Sequence, residues 1–212
     1  MNRFNEDNFR LLCDHLIKID QDLKFIIQQY GYPPMWTREN SFATLILTIL
    51  EQQVSLASAF AAYQRLKEKL PVITPQELLK LSDEELRECS FSRQKIIYAR
   101  GLATALVNEE LSLQQFEFEE DNIIRTTLKK LKGIGDWTAD IYLVHALRRM
   151  DIFPIGDLAL VNALKEIKSL PGETTKEQLI NISQAWVPYR SIATMILWHY
   201  YIQKRKLKLP LY

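Results

Sequence analysis

Helical periodicity is the sequence feature that most restricts how this chain can fold. Apolar residues recur with the three-four spacing of an amphipathic helix, as in Phe9, Cys13 and Leu16, and no stretch sustains the period-two alternation of a strand. Helices average about 11 residues. The chain is therefore predicted to be an all-α protein of about ten helices.

Polar caps and breakers predict where these helices begin and end. The Gly31-Tyr32-Pro33-Pro34 segment must end the first helical stretch at the latest. Cap patterns predict helix starts after Ser41, Ser55, Thr74, Ser82 and Ser92. After a Glu-rich loop, helices are predicted over 123–131 and 137–149, from 157 onwards, and twice more before the end of the chain.

Composition indicates a globular chain but gives little evidence of function. Hydrophobic residues make up 47% and charged residues 25%, and the net charge of +1 carries no overall signature of a nucleic-acid binder. Cys13 and Cys89 lack the spacing of a zinc or iron–sulfur site. With no signal-like start and no apolar run of bilayer length, we expect a reduced cytosolic protein, neither secreted nor inserted in a membrane.

A glycine-rich turn separates two of the predicted helices at Lys132-Gly133-Ile134-Gly135. Such a turn needs no function, because glycine accommodates positive φ and close backbone approach at little cost. In the functional interpretation, its amides lie at the start of the next helix and bind a phosphate, with Lys132 adding a charge. Both interpretations stay open on the turn alone.

The longer string Leu131-Lys132-Gly133-Ile134-Gly135-Asp136-Trp137-Thr138-Ala139 resembles the hairpin of the helix-hairpin-helix DNA glycosylases. The resemblance implies an enzyme acting on double-stranded DNA that contains a damaged base, and we expect it to act as a monomer. It implies no cofactor and no metal held by side chains, although a monovalent cation is expected on hairpin carbonyls near Gly133 and Gly135. The hairpin residues expected to contact DNA are Lys132, Gly133, Ile134, Gly135 and Thr138.

We accordingly predict two helical lobes with the hairpin at the cleft between them. Residues 39–149 are predicted to form a helical barrel lobe that ends in the hairpin. Residues 1–38 and 150–212 are predicted to form the second lobe from both ends of the chain.

Asp157 is the predicted catalytic residue. The family places an aspartate roughly twenty positions beyond the hairpin, and the context Phe153-Pro154-Ile155-Gly156-Asp157-Leu158 resembles the family's turn at that point. Taken alone, such an aspartate is usually only an N-cap. Cleavage of an N-glycosidic bond develops positive charge on the sugar, which an ionised carboxylate stabilises while it orients the attacking water.

Trp137 occupies the position of the lysine nucleophile in the strand-cutting members of the family. The resemblance therefore implies a monofunctional enzyme in which water removes the base. It is closest to the branch of bacterial 3-methyladenine DNA glycosylase II, whose additional N-terminal β-rich domain has no counterpart before Trp36. The turn around Ser90 also departs from the family, which usually has glycine there.

An aromatic base pocket suits the cationic alkylated bases that this branch removes, through stacking and cation–π attraction. Trp137 and Tyr189 are the main candidates, with Tyr142 and Trp36 as weaker ones. Aromatic residues at helical spacing are more often core, and that role is preferred for Tyr142 and Trp198.

Two further DNA contacts follow from the same resemblance. Arg190 lies in Trp186-Val187-Pro188-Tyr189-Arg190-Ser191, which resembles a late stretch of that branch. Gln53, in Ile49-Leu50-Glu51-Gln52-Gln53-Val54-Ser55, matches the residue that fills the gap left by a flipped base. Without the resemblance, Gln53 could equally be part of a polar helix end.

The predicted function is therefore excision of 3-methyladenine- or 7-methylguanine-type bases in base excision repair, in the cytoplasm at the nucleoid or in the nucleus of a eukaryote. Three alternatives stay open: a non-catalytic DNA-binding module, a glycosylase of the same family for another damaged or mismatched base, and an unrelated helical protein.

Overall fold

A computed structural model describes residues 3–208. In that range the chain forms twelve α-helices and two short 3-10 segments, and β pairing is limited to an isolated bridge between Arg3 and Arg149. The predicted all-α fold is confirmed. None of the helices described in this range is long and apolar enough to span a membrane.

The α-helices are α1 (Glu6–Ile19), α2 (Gln21–Tyr30), α3 (Phe42–Glu51), α4 (Leu56–Lys69), α5 (Pro75–Lys80), α6 (Asp83–Glu88), α7 (Arg93–Val107), α8 (Asp121–Lys129), α9 (Asp136–His145), α10 (Leu158–Ile167), α11 (Lys176–Ser183) and α12 (Arg190–Lys204). The 3-10 segments are Gln115–Glu117 and Gln184–Trp186.

The predicted caps hold, but several helix boundaries differ from the prediction. Helix α8 begins and ends two residues earlier than predicted. The side chains of Ser41, Ser55, Thr74, Ser82 and Ser92 each accept a backbone N–H in the first turn of the helix they precede. The first helical stretch is split in two, because the side chain of Asp20 caps a second helix. Helix α9 ends four residues before its predicted end, in a segment where Arg148 is left-handed (φ 54°).

The described residues group into two compact units, 3–37 with 143–208 and 38–142. In the first unit α12 packs on α1, α2 and α10, and its residues from Ser191 to Tyr200 are all buried. In the second unit nine of the ten residues of α3 are buried, and α3 packs on α4 and α7. Helices α5 and α6 also pack on α7.

A buried charge cluster around Asp20 ties three elements of the first unit together. The Asp20 carboxylate accepts hydrogen bonds from Trp186 Nε1 at 2.9 Å, Lys168 Nζ at 3.0 Å and the Leu23 amide at 3.1 Å. Burial alone would raise the pKa of Asp20, but these hydrogen bonds outweigh it and hold the pKa below its ordinary value.

Asp20 should therefore contribute to stability in a pH-dependent way. With its pKa lowered in the folded state, the contribution is complete above the unfolded value of about 4 and is lost as pH falls through the folded pKa. Asp20→Asn keeps a capping side chain but removes the charge, and should lower the free energy of unfolding at pH 7 by about 1–3 kcal/mol. Urea denaturation at pH 7 and near pH 3 should show a smaller acid loss in the variant than in wild type.

The matched control is Glu84→Gln, which removes an exposed carboxylate paired with Arg87 in the same helix. Exposed pairs contribute about 0–1 kcal/mol, so this variant should follow wild type at both pH values. Equal acid sensitivity of wild type and Asp20→Asn would contradict the assigned role.

Candidate active site

The two hairpin glycines differ in how strongly the fold requires them. Gly133 has φ +89°, and a Cβ added to it would lie 2.1 Å from the Tyr98 ring, so only glycine fits. Gly135 is exposed, and a Cβ there would meet no atom within 4 Å. Gly133 thus shapes the turn, and Gly135 leaves the surface above it open for close approach by a ligand.

Gln52 holds the hairpin from inside the second unit. Its Nε2 donates to the Gly133 carbonyl at 2.8 Å and to Thr138 Oγ1 at 2.9 Å. Thr138 is only 2% exposed, and its hydroxyl supports the turn by accepting this hydrogen bond. The amide donor at the Gly133 carbonyl also competes with the monovalent cation predicted near that oxygen.

Gln53 lies next to this anchor in an exposed loop between α3 and α4. Its backbone is left-handed, with φ 56°, which a residue other than glycine adopts only where its surroundings enforce it. The helix before the loop is anchored by Lys95, whose Nζ donates to the Leu50 carbonyl at 2.7 Å and whose pKa is lowered by burial. The loop is thus held while Gln53 is presented to solvent.

Ser90 lies in the turn at which the resemblance predicts glycine. Its φ is 66°, the left-handed conformation that glycine adopts readily, and its hydroxyl accepts a hydrogen bond from Arg65. Ser90 therefore adopts a conformation that glycine would adopt with less strain.

The remaining hairpin residues differ in their exposure to solvent. Ile134 is buried and Lys132 is exposed. Trp137, the second residue of α9, is half-buried. Lys132 can therefore meet a phosphate, and part of the Trp137 side chain remains accessible.

Asp157 caps α10 in the first unit. Its Oδ1 accepts the Leu160 N–H at 2.8 Å and the indole N–H of Trp198 at 3.0 Å. The carboxylate is half-buried, and Leu158 beside it is 75% exposed. The N-cap role is thus confirmed, and it leaves a well-oriented carboxylate close to solvent.

Three other aspartates, which lie between the hairpin and Asp157 in the sequence, all form ion pairs. Asp136 lies 2.5 Å from Lys129, Asp140 lies 2.6 Å from Arg125, and Asp151 binds Arg190. Burial raises the pKa of Asp140, and Arg125 opposes that rise. These pairs fix the three carboxylates in structural contacts.

Trp198 is buried, as predicted, and the ring of His145 packs against its indole. It is 8% exposed, and its ring stacks on His145 with centroids 5.3 Å apart and planes 9° apart. His145 Nδ1 lies 2.7 Å from the Trp36 carbonyl oxygen. The half-buried Trp36 ring is 6.4 Å from that of His199.

The neighbouring residues Tyr189 and Arg190 have different contacts. Tyr189 is half-buried, and its ring meets His15 edge-on at 5.2 Å. Arg190 binds Asp151 through Nε–Oδ1 at 2.6 Å and Nη2–Oδ2 at 2.9 Å. This bidentate pair occupies the nitrogens with which Arg190 would bind a phosphate, which disfavours the predicted DNA contact.

Tyr142 belongs to the core of the second unit. It is fully buried, its hydroxyl donates to Asn40, and its ring meets Phe116 edge-on. This environment favours the core role over the weaker suggestion of a base contact.

The family model described as "HhH-GPD superfamily base excision DNA repair protein" matches residues 46–189, which include the Gln52–Gln53 loop, the hairpin and Asp157. The chain belongs to the HhH-GPD superfamily. The predicted family is thereby confirmed.

Relatives within the superfamily cover most of the chain. DNA-3-methyladenine glycosylase 1 of Schizosaccharomyces pombe is 28% identical over 193 residues, which are 87% of this chain and 84% of the relative. The solved 3-methyladenine DNA glycosylase of that yeast, in complex with abasic DNA, superposes with a TM-score of 0.83 at 27% identity, covering 95% of this chain and 99% of the other. DNA-3-methyladenine glycosidase from Bacillus halodurans gives 0.75 at 30% identity, covering 97% and 95%.

Sequence reasoning missed two residues of this HhH-GPD protein, Gln52 and Trp198. Gln52 stands next to the predicted wedge residue in the same motif, which was the one available signal. Trp198 was assigned to the core, and its burial gives no hint of the hydrogen bond to a carboxylate 41 residues earlier in the chain.

Proposed function

We propose that this protein is a monofunctional DNA glycosylase that removes alkylated purine bases from double-stranded DNA by hydrolysis. The observation that carries the proposal is Asp157, held at a helix N-terminus by an indole and a backbone N–H in a chain of a base excision repair superfamily. The relatives named as 3-methyladenine glycosylases support alkylated purines as the substrate class.

The reaction requires little beyond this carboxylate and water. The bond between the sugar C1′ and the base nitrogen breaks, and its electron pair leaves with the base. Asp157 stabilises the positive charge that develops on the sugar. Water then adds to C1′ and releases a proton, which leaves an abasic site in an intact strand.

The hairpin would bind the DNA backbone, and the neighbouring loop would contact the site of the flipped base. The amides after Gly133 and the exposed Lys132 are suited to phosphates of one strand. Gln53, exposed and held in a left-handed conformation, is suited to fill the gap that the flipped base leaves.

A flipped cationic base would stack on aromatic side chains. Trp137 and Tyr189 are both partly exposed, as such a contact requires, and Trp36 is a further candidate. Because Trp137 stands where strand-cutting relatives have lysine, no Schiff base forms at that position. We expect the protein to act where chromosomal DNA lies, at the nucleoid or in the nucleus.

Purified protein should release methylated purines from alkylated duplex DNA and leave the strand uncut. Chromatography of the released bases identifies the products, and denaturing gels with and without hot alkali show whether the abasic strand is intact. Tests on duplexes carrying 3-methyladenine, 7-methylguanine, hypoxanthine, ethenoadenine or 8-oxoguanine establish the preference.

Two results would contradict the proposal. Trapping of a covalent DNA complex by borohydride would show that an amine acts as nucleophile. DNA binding without release of any base in the panel would favour the non-catalytic module.

A further inference from the structure

We infer that Trp198 is a positioning residue for the reaction, because its indole N–H fixes the orientation of the Asp157 carboxylate. The inference rests on the proposed function and deepens it. It assigns to a buried tryptophan a role that neither its burial nor its place in the chain suggests.

The geometry at Asp157 is that of a carboxylate fixed by two donors. Oδ1 receives the Leu160 N–H at 2.8 Å and Trp198 Nε1 at 3.0 Å. An N-cap hydrogen bond alone comes from one direction and leaves the carboxyl plane room to turn. A second donor on the same oxygen, contributed by a different helix, removes that freedom.

The indole itself is held in place. Trp198 is 8% exposed and stacks almost parallel on His145, and the His145 ring is anchored to the Trp36 carbonyl at 2.7 Å. A donor fixed in advance contributes more to a charged transition state than one that must reorient during the reaction. His145 therefore holds the indole that contacts Asp157, and the Trp36 carbonyl in turn holds His145.

The same unit contains a second indole–carboxylate pair that serves as a matched control. Trp186 is fully buried, and its Nε1 donates to Asp20 Oδ2 at 2.9 Å. Asp20 also binds Lys168, which makes this second pair part of a structural charge cluster. Removal of the donor can thus be compared at two chemically equivalent bonds.

The test compares Trp198→Phe with Trp186→Phe in the full chain. For each variant, three quantities are measured: the single-turnover rate of base release, the Kd for duplex containing a tetrahydrofuran abasic analogue, and the Tm. Trp198→Phe should slow release by about 10- to 100-fold, as expected for the loss of a hydrogen bond to a charged group. Its Kd should stay within about twofold of wild type, since the hairpin grip is unchanged.

Trp186→Phe should lower the Tm and leave the release rate of the folded protein within about twofold of wild type. This opposite pattern separates positioning from general destabilisation. If the rates of both variants fall only in step with their Tm values, Trp198 is merely structural and the inference is overturned.

A second variant keeps the test decisive if phenylalanine does not fill the site. Benzothienylalanine at position 198 retains the size and stacking of the indole but has sulfur in place of N–H. The same slow release in this folded variant supports positioning, and wild-type release overturns it.

Failure of this inference and failure of the proposed function give different results. Wild-type release by the position-198 variants, with wild type active and Asp157→Asn inactive, overturns only the role of Trp198. Absence of release by wild type over the whole lesion panel overturns both.

Discussion

Asp157→Asn is expected to reduce base release by about a thousandfold while duplex binding persists. Asparagine caps helices about as well as aspartate, so α10 should be preserved. Its side-chain oxygen can still accept the N–H groups of Leu160 and Trp198, which hold Oδ1 in the native protein. The substitution thus keeps these two acceptor contacts and removes the negative charge that the sugar requires in the transition state.

Single-turnover release and binding to an abasic-analogue duplex are the measurements for this variant. Asp151→Asn is the control, because Asp151 is a half-buried aspartate of the same unit whose partner is Arg190. We expect that control to lose stability but to retain release once folded. A fully active Asp157→Asn protein would refute the catalytic assignment.

Gly133→Ala is expected to destabilise the protein by about 2–5 kcal/mol, the largest stability effect that we predict. Two penalties combine, since alanine is strained at φ +89° and its methyl group would overlap the Tyr98 ring. Urea denaturation followed by circular dichroism measures the loss.

Gly135→Ala is the matched control within the same turn. A Cβ at Gly135 meets nothing within 4 Å, so stability should stay within about 1 kcal/mol of wild type. If DNA approaches the hairpin closely at this exposed glycine, the added methyl group should still weaken duplex binding by about tenfold. Equal losses of stability in the two variants would show that the packing around Gly133 is misassigned.

Local features of the sequence were sufficient to predict most helix starts. Ser41, Ser55 and Ser92 cap the helices that they were predicted to begin, because capping depends on residues only a few positions apart. The catalytic role of Asp157 rests on the spacing from the hairpin that the family resemblance implies, and it stays a prediction. The N-cap geometry of Asp157 was predictable for the same local reason.

Contacts between distant residues could not be predicted. Gln52 binds the hairpin across 81 positions, and Trp198 reaches Asp157 across 41. Arg190 was expected to contact DNA, but Asp151, 39 positions earlier, binds its guanidinium. No periodicity or motif encodes such pairings, which depend on how helices far apart in the chain pack.

The bond from Gln52 to the hairpin also bears on how the protein would search DNA. Because Gln52 joins the loop that carries Gln53 to the turn at Gly133, folding has already ordered both segments. Little conformational entropy is then lost when the protein meets a duplex, and encounters with undamaged DNA can be brief. A preordered binding surface of this kind is suited to sampling many base pairs quickly. The main energetic barrier is then the opening of the DNA.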